Sequence, residues 1–172
     1  MFENAELDPV LLPTVETVEL RSIDPNYHRV DLYATLLLFA LLGVGMGVLY
    51  YFANFDLTSL WGWMLPVLYV VLLGFSLLLV RKRYRMIGYA LRERDIIFRA
   101  GIFWRTLTVL PFNRVQHVEI GEGPIERSFG LATLNVFTAG GESSDLSIPG
   151  LPRDTATQLK DFIAEKTAAA DG

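Results

Sequence analysis

Apolar and polar positions divide this chain into stretches of different period. From Leu32 to Phe55, and again from Leu57 to Val80, 24 residues pass without a charge. Asp56 alone separates the two runs, and Arg81-Lys82-Arg83-Tyr84-Arg85 follows the second at once. A helix needs about 20 apolar residues to cross the hydrocarbon core of a bilayer. Backbone amides in lipid must bond within their own segment, so helices are the expected form. The pattern predicts a membrane α-helical hairpin of two transmembrane helices within residues 32–80, about 32–54 and 58–80. The connection from Asn54 to Ser59 is too short to hold a domain.

Beyond Arg85 the period shortens. Tyr84–Leu91, Ile96–Ala100, Ile102–Leu110 and Val115–Ile120 read as strands. Glu93-Arg94-Asp95, Gly101 and Pro111-Phe112-Asn113 punctuate them. Ile125–Phe129 reads as one helical turn or an irregular loop. Strands are expected around Leu134–Val136 and over Asp145–Ile148, the latter stopped by Pro149-Gly150. Ala139-Gly140-Gly141-Glu142 reads as the hairpin loop between them. The period then changes to 3.6. Ala156, Leu159, Phe162, Ile163 and Lys166 fall on one helical face, with Asp154 in the first turn, predicting a helix from about Pro152 to Ala168. A sheet with one such helix must bury the helix's apolar stripe against a sheet face or a barrel mouth. The organisation expected is an acidic N-terminal segment (1–31), the hairpin (32–80), a β-rich domain (81–168) and a short tail (169–172). In the first segment, Val18 and Leu20 alternate with Glu19 and Arg21, a weak strand signal in otherwise extended chain.

Charge gives the hairpin a direction. Residues 1–31 carry two Arg against seven acids, and residues 81–172 carry thirteen Lys/Arg against eleven acids. The 54–59 loop has no basic residue, whereas Arg21 and Arg29 precede the first helix and the Arg81–Arg85 cluster follows the second. Basic residues flanking transmembrane ends favour the cytoplasmic side. Both termini are therefore expected in the cytoplasm of a prokaryotic cell, with the chain multi-pass in its inner membrane. Tyr50, Tyr51, Trp61 and Trp63 form an aromatic belt at one end, and Tyr27, Tyr33 and Tyr84 one at the other. Pro9, Pro13 and Pro25 interrupt the first 30 residues, and no apolar core lies there, so no cleavable leader is expected. Gly43 and Gly47 have the spacing at which helices approach closely. They suit packing on the chain's own second helix near Gly74, or contact with a second copy or partner.

The block Pro111-Phe-Asn-Arg-Val-Gln-His-Val-Glu-Ile120, continued by Gly123-Pro-Ile-Glu-Arg-Ser-Phe-Gly-Leu-Ala-Thr-Leu-Asn-Val-Phe-Thr-Ala-Gly-Gly141, resembles the bacterial pleckstrin-homology domain of the second type. Tyr89-Ala-Leu, Ile97-Phe-Arg and Gly101-Ile-Phe fit its opening strands. With the hairpin in front, residues 32–168 resemble the YdbS-like membrane proteins. The resemblance implies a pleckstrin-homology-like antiparallel β-barrel or sandwich of seven strands, capped by the C-terminal α-helix. It also implies, as a partner, a larger membrane protein with repeated domains of the same type.

Catalytic chemistry finds little to work with. The chain has no Cys and two His, His28 and His117, neither in a metal-ligand spacing. Ser128, Ser143 and Ser144 lack the strand–turn–helix elbow of a nucleophile. Gly140-Gly141 lacks the Lys and hydroxyl of a phosphate loop. Asp145, Glu119 and Glu122 could be neighbours in a barrel but sit close to turns. No catalytic, metal or cofactor site is expected, and the nearly balanced domain is a poor nucleic-acid binder. Arg114, Gln116, His117 and Arg127 form the candidate patch for an anion or a partner carboxylate. The plainer reading of the patch is architectural, with Arg114 bonding turn carbonyls and Arg127 pairing with Glu119 or Glu126. Arg81, Lys82, Arg83 and Arg85 set topology and attract anionic headgroups.

The expected function is a membrane-anchored interaction module that docks a membrane protein or self-assembles. Two alternatives stand beside it: recognition of anionic lipid headgroups by the same domain, and a non-catalytic subunit of a transport or envelope-stress complex.

Overall fold

Among the described residues, two long helices carry the apolar runs, and seven short strands and two further helices make up the other elements, with one 3-10 turn. The computed structural model describes residues 18–53, 60–138 and 145–170. The 54–59 connection and the 139–142 loop of the sequence reading, with Ser143 and Ser144, lie outside the described residues. Strand β1 (Arg21–Ser22) leads into helix α1 (Tyr27–Ala53), which is followed by α2 (Leu60–Met86). Strands β2 (Gly88–Leu91), β3 (Asp95–Ala100) and β4 (Thr106–Pro111) come next, then a 3-10 turn at Phe112–Arg114. Strand β5 (Val115–Gly121), helix α3 (Pro124–Ser128), strands β6 (Leu131–Thr138) and β7 (Leu146–Pro152) and helix α4 (Arg153–Ala170) complete the chain.

Both membrane helices outrun their apolar stretches at the basic end. Residues Arg81–Arg85 stay helical, where a strand from Tyr84 was expected. Long unbranched Arg and Lys side chains suit a helix, and their charge complements its C-terminal dipole. Inside the hairpin, Tyr69 Oη donates to the Phe39 carbonyl at 2.7 Å, and the two rings meet edge-on with centroids 5.6 Å apart. Gly43 makes room for this, since a Cβ there would stand 3.0 Å from Tyr69 Oη. Gly47 and Gly74 face open space. The helix pair thus meets through Gly43 and Tyr69 and not at Gly74. At the basic end Arg83 reaches Asp31 across the hairpin at 3.1 Å.

The strands form two antiparallel sheets, β1-β2-β3-β4 and β5-β6-β7. Seven strands are present among the described residues, but the first comes from before the membrane. Arg21 pairs with Tyr89 and Ser22 with Gly88, so the N-terminal segment forms one edge of the four-stranded sheet. Ile23 follows it into the shared core, beside Tyr89, Ile96, Leu110, Leu134, Ile148 and Leu151. Burial pushes the Tyr89 hydroxyl pKa up, against the lowering effect of nearby Arg21. Helix α4 closes the core with Ala156 and Ile163, as its period predicts, and Phe162 meets the Phe112 ring at 6.0 Å.

Two further strand boundaries differ from expectation. Strand β4 starts at Thr106 rather than Ile102, because Gly101 adopts φ 109° and the chain turns before Arg105. Strand β7 runs through Pro149-Gly150 instead of stopping there. Leu134 pairs with Ile148 and Ala132 with Leu151, so Pro149 and Gly150 oppose Thr133 alone. That extra residue is a β-bulge, which spares Pro149 a ladder bond it cannot donate.

Candidate interaction surfaces

The bulge at Gly150 is where the β-domain meets the hairpin. Gly150 adopts φ 68°, its carbonyl accepts from the Asp24 amide at 2.9 Å, and the Tyr27 ring sits on it. Six residues further along α1, Tyr33 stacks on Phe129 with centroids 5.8 Å apart. Phe129 ends helix α3, whose first turn is tied down by Glu126. The Glu126 carboxylate accepts from the Gly123 amide at 2.9 Å and from Thr133 Oγ1 at 2.9 Å. Strand β1, the Tyr27–Gly150 seat and the Tyr33–Phe129 stack hold the domain against the Tyr27 end of α1.

The candidate patch is only partly one surface. Arg114 ends the 3-10 turn, and Gln116 and His117 follow on β5, all three exposed. The β5–β6 register slips between Val115 and His117. His117 stacks flat on its cross-strand neighbour Phe137, centroids 4.2 Å apart, and its Nε2 lies 3.4 Å from Glu119 Oε1. Arg127 lies elsewhere. Val115 pairs with Thr138 at one end of β6, whereas Glu126 beside Arg127 bonds Thr133 toward the other. A strand about 20 Å long, at roughly 3.3 Å per residue, separates Arg114 from the turn that leads to Arg127. Arg127 has neither suggested partner: Glu119 faces His117, and Glu126 caps α3. The register that puts it on the helix-facing end of the domain is not readable from local sequence.

The remaining acids are also dispersed. Glu122 pairs with Arg153 at 3.0 Å. Asp145 accepts from the Thr138 amide at 2.9 Å and from the Thr138 hydroxyl. These two bonds favour the carboxylate and hold the Asp145 pKa below its ordinary value. Ser128 Oγ donates to the Ile125 carbonyl at 2.7 Å, a bond within its own helix. Among the described residues no three His, Asp or Glu come together as metal ligands.

Two further surfaces stand out near the basic end of the hairpin. Arg81, Lys82 and Arg85 are exposed, while Arg83 is engaged by Asp31. Beside them opens a cleft of about 560 Å³ between α2 and the turn joining β3 to β4. Tyr27, Leu79, Arg83, Phe98, Phe103 and Trp104 are among its walls. The sequence reading missed this feature, because Ile102-Phe103-Trp104 continues the apolar rhythm of a strand. Gly101 just ahead of it was the available signal.

Comparison with known proteins agrees with this architecture. The profile of the family described as Bacterial PH domain matches residues 11–167, a span that includes β1, the hairpin and the whole barrel. The chain is 34% identical over 89 residues to the UPF0699 transmembrane protein YdbS of Bacillus subtilis (strain 168). That alignment covers 52% of this chain and 54% of the relative, so the chain spans about half the length of the curated relative it matches. No solved structure matches the chain.

Proposed function

This chain belongs to the bacterial PH domain family, and on that premise we propose that it is a non-catalytic, membrane-anchored interaction module. Its barrel docks a membrane-protein partner, such as a larger protein with repeated domains of this type, or a second copy of itself. The observation that carries this reading is the clamp between barrel and hairpin. Strand β1 and the Tyr27–Gly150 seat anchor the domain on the residues that enter α1. Arg114, Gln116 and His117, at the end of β5 away from α3, are then presented in one orientation to the extramembrane part of a neighbouring membrane protein. Confinement to a membrane raises the effective concentration of a weak partner, so a small contact surface suffices. The basic residues flanking both helices support cytoplasmic termini at the inner membrane.

The test is a photo-crosslinking residue at Gln116 in the full chain, activated in membranes before solubilisation. A discrete heavier adduct, of a partner or of the dimer, is expected. Uncrosslinked monomer alone would count against the reading. Reporter fusions at both termini test the topology, and an external signal from either would overturn it.

A second reading, recognition of anionic headgroups, is favoured by the exposure of Arg81, Lys82 and Arg85. Each contributes about 1 kcal/mol near an anionic surface. The purified full chain should then carry co-purified anionic lipid, and replacing the three with Gln should deplete it. Equal lipid content in both would remove this reading and leave the first intact.

A further inference from the structure

We propose that the turn between β3 and β4 inserts into the bilayer leaflet at the Arg81 end of the hairpin, a second membrane contact beside α2. Three observations carry this. Outside the two long helices, the exposed large apolar side chains among the described residues are Phe103 (66%), Trp104 (86%), Leu107 (47%) and Val109 (41%). All four lie on one hairpin, and the two most exposed are at its tip. Soluble surfaces expose such residues singly, and a cluster of this kind marks an interaction site.

The second observation is height. The cleft walls include Leu79 and Arg83, one helical turn apart on the same face of α2, together with Phe103 and Trp104. Leu79 belongs to the apolar run, and Arg83 to the cluster that ends it. At about 1.5 Å per residue these two residues straddle the hydrocarbon boundary within a few ångströms. The turn therefore stands at the membrane surface.

The third is construction. The turn depends on Gly101, since a Cβ there would lie 1.8 Å from the Trp104 carbonyl oxygen. It presents Phe103 and Trp104 outward, followed by the exposed Arg105. A Trp that prefers the headgroup level, next to a cation that can pair with phosphate, suits that depth. The occupant of the cleft is lipid: acyl chain against Leu79, Phe103 and Trp104, headgroup toward Arg105 and the exposed members of the basic cluster. A second protein chain is the competing occupant.

The chain contains no Cys, so Phe103→Cys, Trp104→Cys and, at an exposed position of α4, Asp161→Cys each create a single site for a nitroxide label. The full chain is reconstituted in vesicles of phosphatidylethanolamine and phosphatidylglycerol. At 103 and 104, collisions with dissolved oxygen should exceed those with a water-soluble nickel chelate several-fold. At 161 the order should reverse. Labels at 103 and 104 as open to nickel as the one at 161 would overturn insertion. Labels shielded from both reagents would overturn it in favour of a protein partner. A second measurement keeps both faces of the turn intact. With Trp61→Phe and Trp63→Phe, Trp104 is the remaining tryptophan of three. Lipids carrying quenchers near the headgroup should then quench it more strongly than lipids carrying them at the chain end. Absence of quenching from any depth would likewise overturn the proposal.

Discussion

The hydroxyl of Tyr50 on α1 donates to the carbonyl of Gly62 on α2, and that carbonyl is the one whose helical donor would be residue 66. Residue 66 is Pro, inside α2 and without an N–H to give. The neighbouring helix therefore supplies what the sequence of α2 withholds.

Tyr50→Phe should therefore weaken the helix pair by about 1 kcal/mol, within the range for hydrogen bonds between membrane helices. Introducing Pro66→Ala returns a helical donor to Gly62, so the cost of Tyr50→Phe should shrink in that background. Unfolding of the detergent-solubilised full chain by a denaturing detergent gives all four corners of the cycle. An equal cost in both backgrounds would show that the hydroxyl does not act through this carbonyl.

Gly150→Ala should be among the more damaging small substitutions in the barrel. Its φ of 68° disfavours any side chain, and a Cβ would lie 2.6 Å from the Tyr27 ring. A loss of about 2–3 kcal/mol is expected from strain and displacement together. Tyr27→Leu should remove part of the clash but none of the backbone strain. The double variant should then lose less than the sum of the two single changes, as read by thermal unfolding. Strict additivity would mean that the ring and the glycine do not bear on one another.

The contact between Asp145 and Thr138 at the base of the β6–β7 hairpin should depend on pH. The folded state lowers the Asp145 pKa, the Thr138 hydroxyl contributing first and its amide next. A depressed carboxylate stabilises the fold above its unfolded pKa, and that stabilisation is lost as pH falls through the folded value. Acidification below the ordinary carboxylate range should therefore release the Thr138 amide, while pH 6 to 8 should leave it unchanged. The Thr138 amide resonance followed by NMR tests this. An inflection at or above the ordinary Asp pKa would contradict it.

Much of this architecture could be read ahead of the structure, for physical reasons that also explain the gaps. Lipid acts as a uniform solvent, so two 24-residue charge-free runs leave helices as the remaining option. Helix α4 announces itself because its stripe repeats over several turns. The β-domain is harder, since its strands are two to eight residues long and register is set by distant pairings. Ile102-Phe103-Trp104 reads as strand until Gly101 is seen to turn the chain. Pro149 reads as a stop until the bulge gives it an unpaired slot. In the candidate patch, Arg114, Gln116 and His117 stay together because they are consecutive or nearly so. Arg127 does not join them, because only the β5–β6 ladder decides which end of the domain it occupies.

Strand β1 was the faintest signal, two alternating pairs in an acidic segment, yet the barrel's completeness rests on it. Arg21 and Ser22 supply the edge of the four-stranded sheet, and Ile23 is buried beside Tyr89, Ile96 and Ile148. A fragment of residues 81–172 lacks all three and exposes the edge of β2 together with the site that Ile23 fills. In the full chain, Ile23→Ala should cost about 2–4 kcal/mol, as for truncation of a buried aliphatic residue. The 81–172 fragment should show weak amide protection along β2, and joining residues 18–26 to its N-terminus through a flexible linker should restore it. Hydrogen exchange at Gly88 and Tyr89, the residues paired with β1, reads the effect directly. If those amides are as protected in the bare fragment as in the full chain, the barrel closes without its first strand, and the hairpin is then only a tether rather than an insertion within the domain.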